Sequence, residues 1–507
     1  MNLFPFLALL FLFLAGCSQE QEIAGPQTKS VTLIHQFKTG SMDPHNGSTP
    51  LRAGIVETLV RLDENLEVKP WLATKWEAKD ERTWVFTIRE NVAFHDGTKL
   101  DAAAVKDSFE RAMTVNEKMI GALKIASMEA AGQELTMVTS EPHPSLPSEL
   151  VNPMAAVVSA EAEKQVGSEA FNAAPVGTGP FKVKKFTPDI EVVVERFDGY
   201  WDGAAKLEEV TYKFNEDGNV RSLALQSKEA DIVYGLPAET IDVIEQDNEL
   251  RVESIAGLRV HFLLYNQQKP WMQDVKVRRA IDLLINRESI ANDIMLGNAT
   301  PANGPFNTAL PFGSKEPLRA LNVDEARKLL EEAGFAPGAD GKLAKEGKRL
   351  TLELLTYGGR PELPLMAQLL QSDAAKAGVE IRIKNVEDVD TYIRENKDWD
   401  MVTYSNLTAP RGDGGFFLNS AFLPGGSLNA VNIDIPKLNQ FVEQLNQTVE
   451  TQERVKLTQE AVGLVNEEVP HSYAVYPNII VGINERIIDW KPGAEEYYIL
   501  TNKMDVK

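Results

Sequence analysis

Cysteine is nearly missing: Cys17 is the only one in 507 residues, so no intrachain disulfide can form and no cysteine cluster can hold a metal. Positive charge is short as well. Lys and Arg total 52 against 74 Asp and Glu, a formal charge of −22. No cationic surplus exists to neutralise phosphates, so no nucleic acid partner is expected, and docking on an anionic membrane face is disfavoured. Histidine is scarce, with six residues at 35, 45, 95, 143, 261 and 471. None falls into HExxH, HxH or CxxC…H spacing, which argues against a zinc site closed by four side chains. A GxSxG elbow and a Gly-Lys-Ser/Thr phosphate loop are absent too, and 176-VGTGPF-181 lacks the third glycine of a dinucleotide loop. Carboxylate pairs are plentiful, but 74 acids produce them by chance. An enzyme is not expected.

Long apolar runs are also lacking beyond the first sixteen residues, MNLFPFLALLFLFLAG. That uncharged run is too short for a membrane span and has the size of a signal-peptide core. It ends in 14-LAGC-17 and is followed by the polar spacer SQEQEIAGPQTKS. The stretch resembles a bacterial lipobox, although no Lys or Arg precedes the apolar run. The resemblance implies a signal peptide over 1–16, lipidation of Cys17 and a tether over 17–29, with the chain extracytoplasmic and anchored to the membrane.

What remains is ordinary for a folded protein: 43% apolar and 25% charged residues, in a chain long enough to divide into two or three lobes. Alternation predicts strands over 31–37, 84–90, 191–197 and 208–214, and an Asp101-capped helix over 101–113. The second half alternates strand and helix. Helices are predicted over 277–295, 324–335 and 364–378, and strands over 351–357, 379–386 and 399–405. That rhythm implies an α/β lobe with a largely parallel sheet, whose ligand crevice lies outside the carboxyl ends of its strands. Two loops should meet there, 357-YGGRPELP-364 and 403-TYSNLTAPRGDGGFFLN-419. In the second, an Arg-Gly-Asp adhesion tag is too short a match to carry weight. A phosphate cradle is disfavoured by Asp413 and by the lack of a clear helix start at 412–414.

Several stretches, taken together, resemble one family: 66-LEVKPWLATKWE-77, 84-WVFTIRENVAFHDGTKLDAAAVKDSFERA-112, 175-PVGTGPFKVKKF-186, 198-DGYWDGAAKLEEVTYKF-214 and 276-KVRRAIDLLINRESI-290. In this order they are similar to the substrate-binding proteins of peptide/nickel ABC importers. The segments 256-AGLRVHFLLYN-266, 298-NATPANGPFN-307 and 493-GAEEYYILTN-502, with the 403–419 loop, look most like the nickel-type lipoprotein members. The resemblance implies a bilobal α/β fold of the periplasmic-binding-protein type (type II, large peptide/nickel class). Lobe I would comprise 30–60, 175–265 and 478–507, with an extra subdomain, 61–174, inserted in it; lobe II would be 266–477. It implies no prosthetic group and a monomer that delivers a nickel chelate, as transported ligand, to the permease subunits. A di- or oligopeptide is the alternative cargo.

The family also suggests site residues. Asp413 lines up with the residue that grips a peptide's ammonium in peptide-binding relatives, with Arg411 as a partner that could instead pair only with it. Arg259, Arg360 and Arg411 are candidates to hold a ligand carboxylate. Tyr234, Tyr357, Tyr404, Trp399 and Phe416 are candidates for the walls. Imidazole suits Ni(II), so His35 and His471 are the candidate metal ligands, while His45, His95 and His143 sit beside Pro or Gly in expected surface turns. No arginine occurs in 152-NPMAAVVSAE-161, where some nickel binders place arginines for carboxylate-rich chelators.

Overall fold

The computed structural model describes residues 28–431 and 433–507; Cys17, the 1–16 signal segment and nearly all of the 17–29 tether lie outside them. One long strand, His471–Asn484, organises the molecule. Its burial is almost continuous rather than alternating, as befits a strand covered on both faces. On one side it pairs with Arg259–Tyr265, and beyond that follow Met401–Leu407, Thr351–Tyr357 and Glu380–Val386. On the other side it pairs with Ile232–Tyr234, and beyond that follow Ser30–His35, Glu209–Phe214, Glu191–Arg196 and Phe181–Thr187. Two half-sheets therefore share a single strand.

Each half is mixed rather than largely parallel. Thr351–Tyr357 runs parallel to both of its neighbours, but Met401–Leu407 meets Arg259–Tyr265 antiparallel. The strand Leu250–Ala256 pairs with the far half of His471–Asn484, and Arg259–Tyr265 with its near half. The passage between lobes is thus a two-stranded antiparallel ribbon, with Gly257 and Pro477 at the crossing. Pro477 offers no N–H to the ladder, and a Cβ on Gly257 would lie 3.2 Å from the Pro477 carbonyl oxygen.

A third sheet, Ala73–Ala78, Thr83–Ile88, Glu134–Thr139 and Ile125–Ala131, stands apart with the helix Ala102–Val115 against it. Asp101 caps that helix by accepting the Ala104 N–H. Its apolar residues merge with those around Ser30–His35 into one core that includes Leu33, Phe86, Phe109, Phe181 and Tyr212. The opposite half has two cores, one on each face of its sheet, around Phe262 and Phe417 and around Leu352 and Ile281.

The predicted helix 277–295 is broken. It runs Val275–Leu283, restarts at Arg287–Ser289 and continues as a π turn over Ile290–Ile294. The buried Arg287 guanidinium explains the break, since it donates to the carbonyls of Asp282, Ala302 and Tyr473 and to the Asp282 carboxylate. A second difference falls in the 403–419 loop, where a helix does begin, Gly415–Phe422.

The family motifs converge on one buried group. Glu57 accepts from Trp71 Nε1 (2.7 Å), Thr178 Oγ1 (2.7 Å), Tyr200 Oη (2.8 Å) and Trp201 Nε1 (3.1 Å). The segments 66–77, 175–186 and 198–214 are clamped together by this carboxylate, which has no cation in an ion pair with it among the described residues. Burial pushes it upward, opposed by its four donors.

Candidate functional site: an interlobe cleft

Parallel strands in each half end at a common rim. Ser30–His35 lies parallel to Ile232–Tyr234, which brings His35 and Tyr234 to one rim with ring centroids 5.4 Å apart. On the opposite half, Thr351–Tyr357 and Met401–Leu407 run parallel, so Tyr357, Arg360 and the 408–414 loop share the other rim. Contacts join the lobe II rim to the inserted segment. Arg411 pairs with Glu149 of the inserted sheet's segment, with both side chains about six-sevenths buried. Gly412, at φ +68°, approaches so closely that a Cβ would stand 2.3 Å from the Leu66 carbonyl oxygen. Leu66 itself packs against cores of both halves.

The expected Arg411–Asp413 couple does not form. Asp413 takes Arg454 bidentately at 2.8–3.0 Å and caps Gly415 N–H at 2.7 Å. Arg454 gives its remaining donors to the Leu445 and Thr448 carbonyls. Asp413 is therefore committed to anchoring its loop and is not available to grip a ligand ammonium. Arg411 turns to Glu149, with its guanidinium 4.5 Å from the Phe416 ring.

Two wall candidates are interior. The Tyr404 hydroxyl donates to Asp390 while its ring packs on Phe262, and Trp399 is fully buried with Nε1 donating to the Asn396 carbonyl. Tyr357, Phe416 and Arg360 are half-buried at the lobe II rim. So is Arg259, whose strand Arg259–Tyr265 pairs with Met401–Leu407 and so sits with lobe II rather than in the 175–265 stretch expected for lobe I. Arg259 donates to Ser405 Oγ at 3.2 Å and makes no ion pair among the described residues. Burial, then the neighbouring Arg360 charge, brings Arg259 down to about 10. Two guanidiniums held together without a carboxylate on either form a site that attracts one.

The histidines are wired differently from the expectation. His35 Nδ1 accepts the Phe37 N–H at 3.2 Å, so the neutral ring carries its proton on Nε2, which has no partner. A metal-binding imidazole usually donates through its second nitrogen; His35 Nδ1 accepts instead. His471 lies in the lobe II core, with Phe422 and Phe262 at 5.0 and 5.1 Å, and neither nitrogen has a partner. Burial brings it down to about 3. Replacing His471 with Leu removes two stranded polar atoms, and a stability gain of about 1 kcal/mol in urea denaturation is expected. A ligand role would instead show as lost metal affinity.

His45, His95 and His143 are not in exposed turns. Their Nε2 atoms bond the carbonyls of Ala156, Gly179 and Ala122 at 2.8–3.1 Å. His261 donates Nε2–H to Glu362 at 2.8 Å. Burial lowers His261, opposed by its Glu362 partner, and the His261 hydrogen bond lowers Glu362 against the effect of its own burial.

Sequence reasoning missed Arg52, in the unremarkable 49-TPLRAGIV-56. Arg52 is 9% exposed at the lobe I rim, and its Nε donates to the Glu496 carbonyl at 3.0 Å. It also missed the carboxylates of Glu495 and Glu496; Glu496 holds a left-handed φ of +59° and its charge is felt at Arg259, Tyr234 and Tyr497. The segment 493–502 drew attention only as a resemblance.

Two half-sheets joined by a ribbon, facing each other over a charged cleft, define a two-lobed solute-binding protein. Residues 67–429 match the bacterial extracellular solute-binding proteins, family 5 (middle region). The chain belongs to this family and is a binding protein, not an enzyme. It is 33% identical over 507 residues, 99% of each chain, to the nickel-binding protein NikA of Staphylococcus aureus. Among solved structures it is similar to a nickel ABC transporter protein of Bacillus halodurans, at 42% identity and TM-score 0.83, covering 94% of this chain and 100% of that one. It is also similar to Staphylococcus aureus NikA in complex with Ni(L-His)2, at 33% identity and TM-score 0.80, with the same coverage.

Proposed function

We propose that the protein captures a nickel chelate of amino-acid type, with nickel and L-histidine as the leading pair, and passes it to the permease of an ABC importer. The carrying observation is the sign of the cleft. In a chain of charge −22, the lobe II rim presents Arg259 and Arg360 with no carboxylate in an ion pair with them among the described residues. Such a rim favours a ligand that brings carboxylates. For the alternative, a short peptide, the residue expected to hold its ammonium, Asp413, is already taken by Arg454. No group of three or more metal-ligating side chains occurs among the described residues, so most of the coordination would come from the chelator. The relatives named as binding nickel, and Ni(L-His)2 in one of them, support the same reading.

Thermal-shift titration separates the two cargoes. Ni(II) with L-histidine should raise the melting point, following RT ln(1 + [L]/Kd), about 2.7 kcal/mol at a hundredfold excess. Stabilisation by di- and tripeptides alone would refute the nickel reading. Arg259→Gln is expected to weaken nickel–histidine binding about 10- to 100-fold, the worth of a charge-assisted pair. We further propose that the protein works as a monomer held to the membrane by lipid on Cys17; a Cys17→Ser variant should then appear in the soluble fraction.

A further inference from the structure

Arg52 is a rim cation whose role the fold leaves open. Its side chain is almost entirely inside the protein, yet only Nε has a partner, and that partner is the neutral carbonyl of Glu496. Nη1 and Nη2 have no hydrogen bond and no ion pair among the described residues. The surroundings offer donors and rings. His35 presents an unpartnered Nε2, the Tyr212 and Tyr234 rings lie 6.0 and 5.4 Å from His35, and the half-exposed Phe37 ring lies 5.8 Å from the guanidinium. Glu496 contributes its backbone oxygen to Arg52 and, among the described residues, no ion pair. Neither Nη is among the sealed unpartnered atoms of the interior, so the free edge of this guanidinium stays reachable and is placed to take a carboxylate bidentately.

We infer that Arg52 is a specificity-determining residue of lobe I that takes a second ligand carboxylate, opposite the one held by Arg259 and Arg360 on lobe II. The bound chelate then carries two carboxylates on opposite faces, as in a metal held by two amino acids, and closing the lobes requires both. His35 Nε2–H adds a neutral donor beside the same carboxylate. A ligand with one carboxylate, whether a peptide or a one-to-one complex, leaves Arg52 unpaired. This inference rests on the chelate reading above.

The test uses the full chain, Ni(II) with L-histidine, and Ni(II) with L-histidinamide, which lacks the carboxylate. Calorimetry with wild type should give binding to the first and a loss of at least about 100-fold for the second. Arg52→Gln should weaken nickel–histidine binding about 10- to 100-fold, leave the weak histidinamide binding unchanged, and keep the ligand-free melting point. Arg52→Lys should recover part of the affinity, and it decides the matter if the Gln variant fails to fold. Combined with Arg259→Gln, the losses should multiply, because the two residues hold different carboxylates. An Arg52→Gln variant that binds like wild type, or loses both ligands equally, overturns the clamp alone. Wild type that binds no nickel with histidine overturns the chelate reading and the clamp together.

Discussion

Acidification from pH 7 to pH 4 should unfold the protein, with the transition beginning below about pH 6. All six histidines have their titration depressed, with burial the leading cause at each. His95 and His143 fall to about 4 and His471 to about 3. A depressed group contributes stability that is complete above its unfolded value, near 6.5, and is lost as pH falls toward its folded value. Each such histidine then costs about 1.4 kcal/mol per pH unit, roughly 3 kcal/mol apiece by pH 4. Three of them alone approach the whole stability of an ordinary fold, about 5–15 kcal/mol. Glu57, Asp400 and Glu495, raised mainly by burial, run the other way but are fewer. Far-ultraviolet circular dichroism against pH measures the transition. A fold unchanged at pH 4 would contradict the claim that these rings are held neutral.

Replacing Glu57 with Ala is the mutation expected to do most damage. It strands the indole N–H groups of Trp71 and Trp201 and the hydroxyls of Tyr200 and Thr178 in a dry interior. At roughly 1–3 kcal/mol for each unsatisfied group, partly relieved by water, the loss is about 5 kcal/mol. Glu57→Gln should cost less, about 3 kcal/mol, because an amide oxygen still accepts two of the four donors while its NH2 cannot. The difference identifies the carboxylate's acceptor capacity, rather than its volume, as what matters. Urea denaturation of both variants reads it directly, and equal losses would argue for packing instead. Binding of nickel with histidine to the Gln variant below its midpoint should be unchanged, since Glu57 is not at the rim.

That placement explains why the family was easier to read in the chain than the ligand was. The stretches that carry the resemblance supply Trp71, Thr178, Tyr200 and Trp201, and these hold lobe I together around Glu57. Strand Thr351–Tyr357 and the helix after Asp101 were visible because their apolar spacing is local. The helix broken before Arg287 was not, because its break answers carbonyls as far away as Tyr473. The site is harder still. Arg454 lies 41 residues from Asp413, and Glu496 lies 444 residues from Arg52. No periodicity relates such pairs, so a plausible Arg-Gly-Asp couple could be expected where the fold gives each member another partner.

The ribbon between the lobes bears on the thermodynamics of capture. A hinge made of loops must order those loops when a ligand arrives, at about 1–2 kcal/mol for each residue whose backbone is frozen. Here the crossing residues are flanked by ladder pairs on both sides, Ala256 with Asn478 and His261 with Val475. Arg259 and Val260 pair with Leu407 and Asn406, and Tyr476 and Pro477 with Thr300 and Ala299, so only Gly257 and Leu258 stand outside a ladder pair. Closure therefore withdraws little conformational entropy, and little of the ligand's contact energy is spent on ordering chain. In calorimetry, the entropy of binding should report chiefly the water expelled from the two rims.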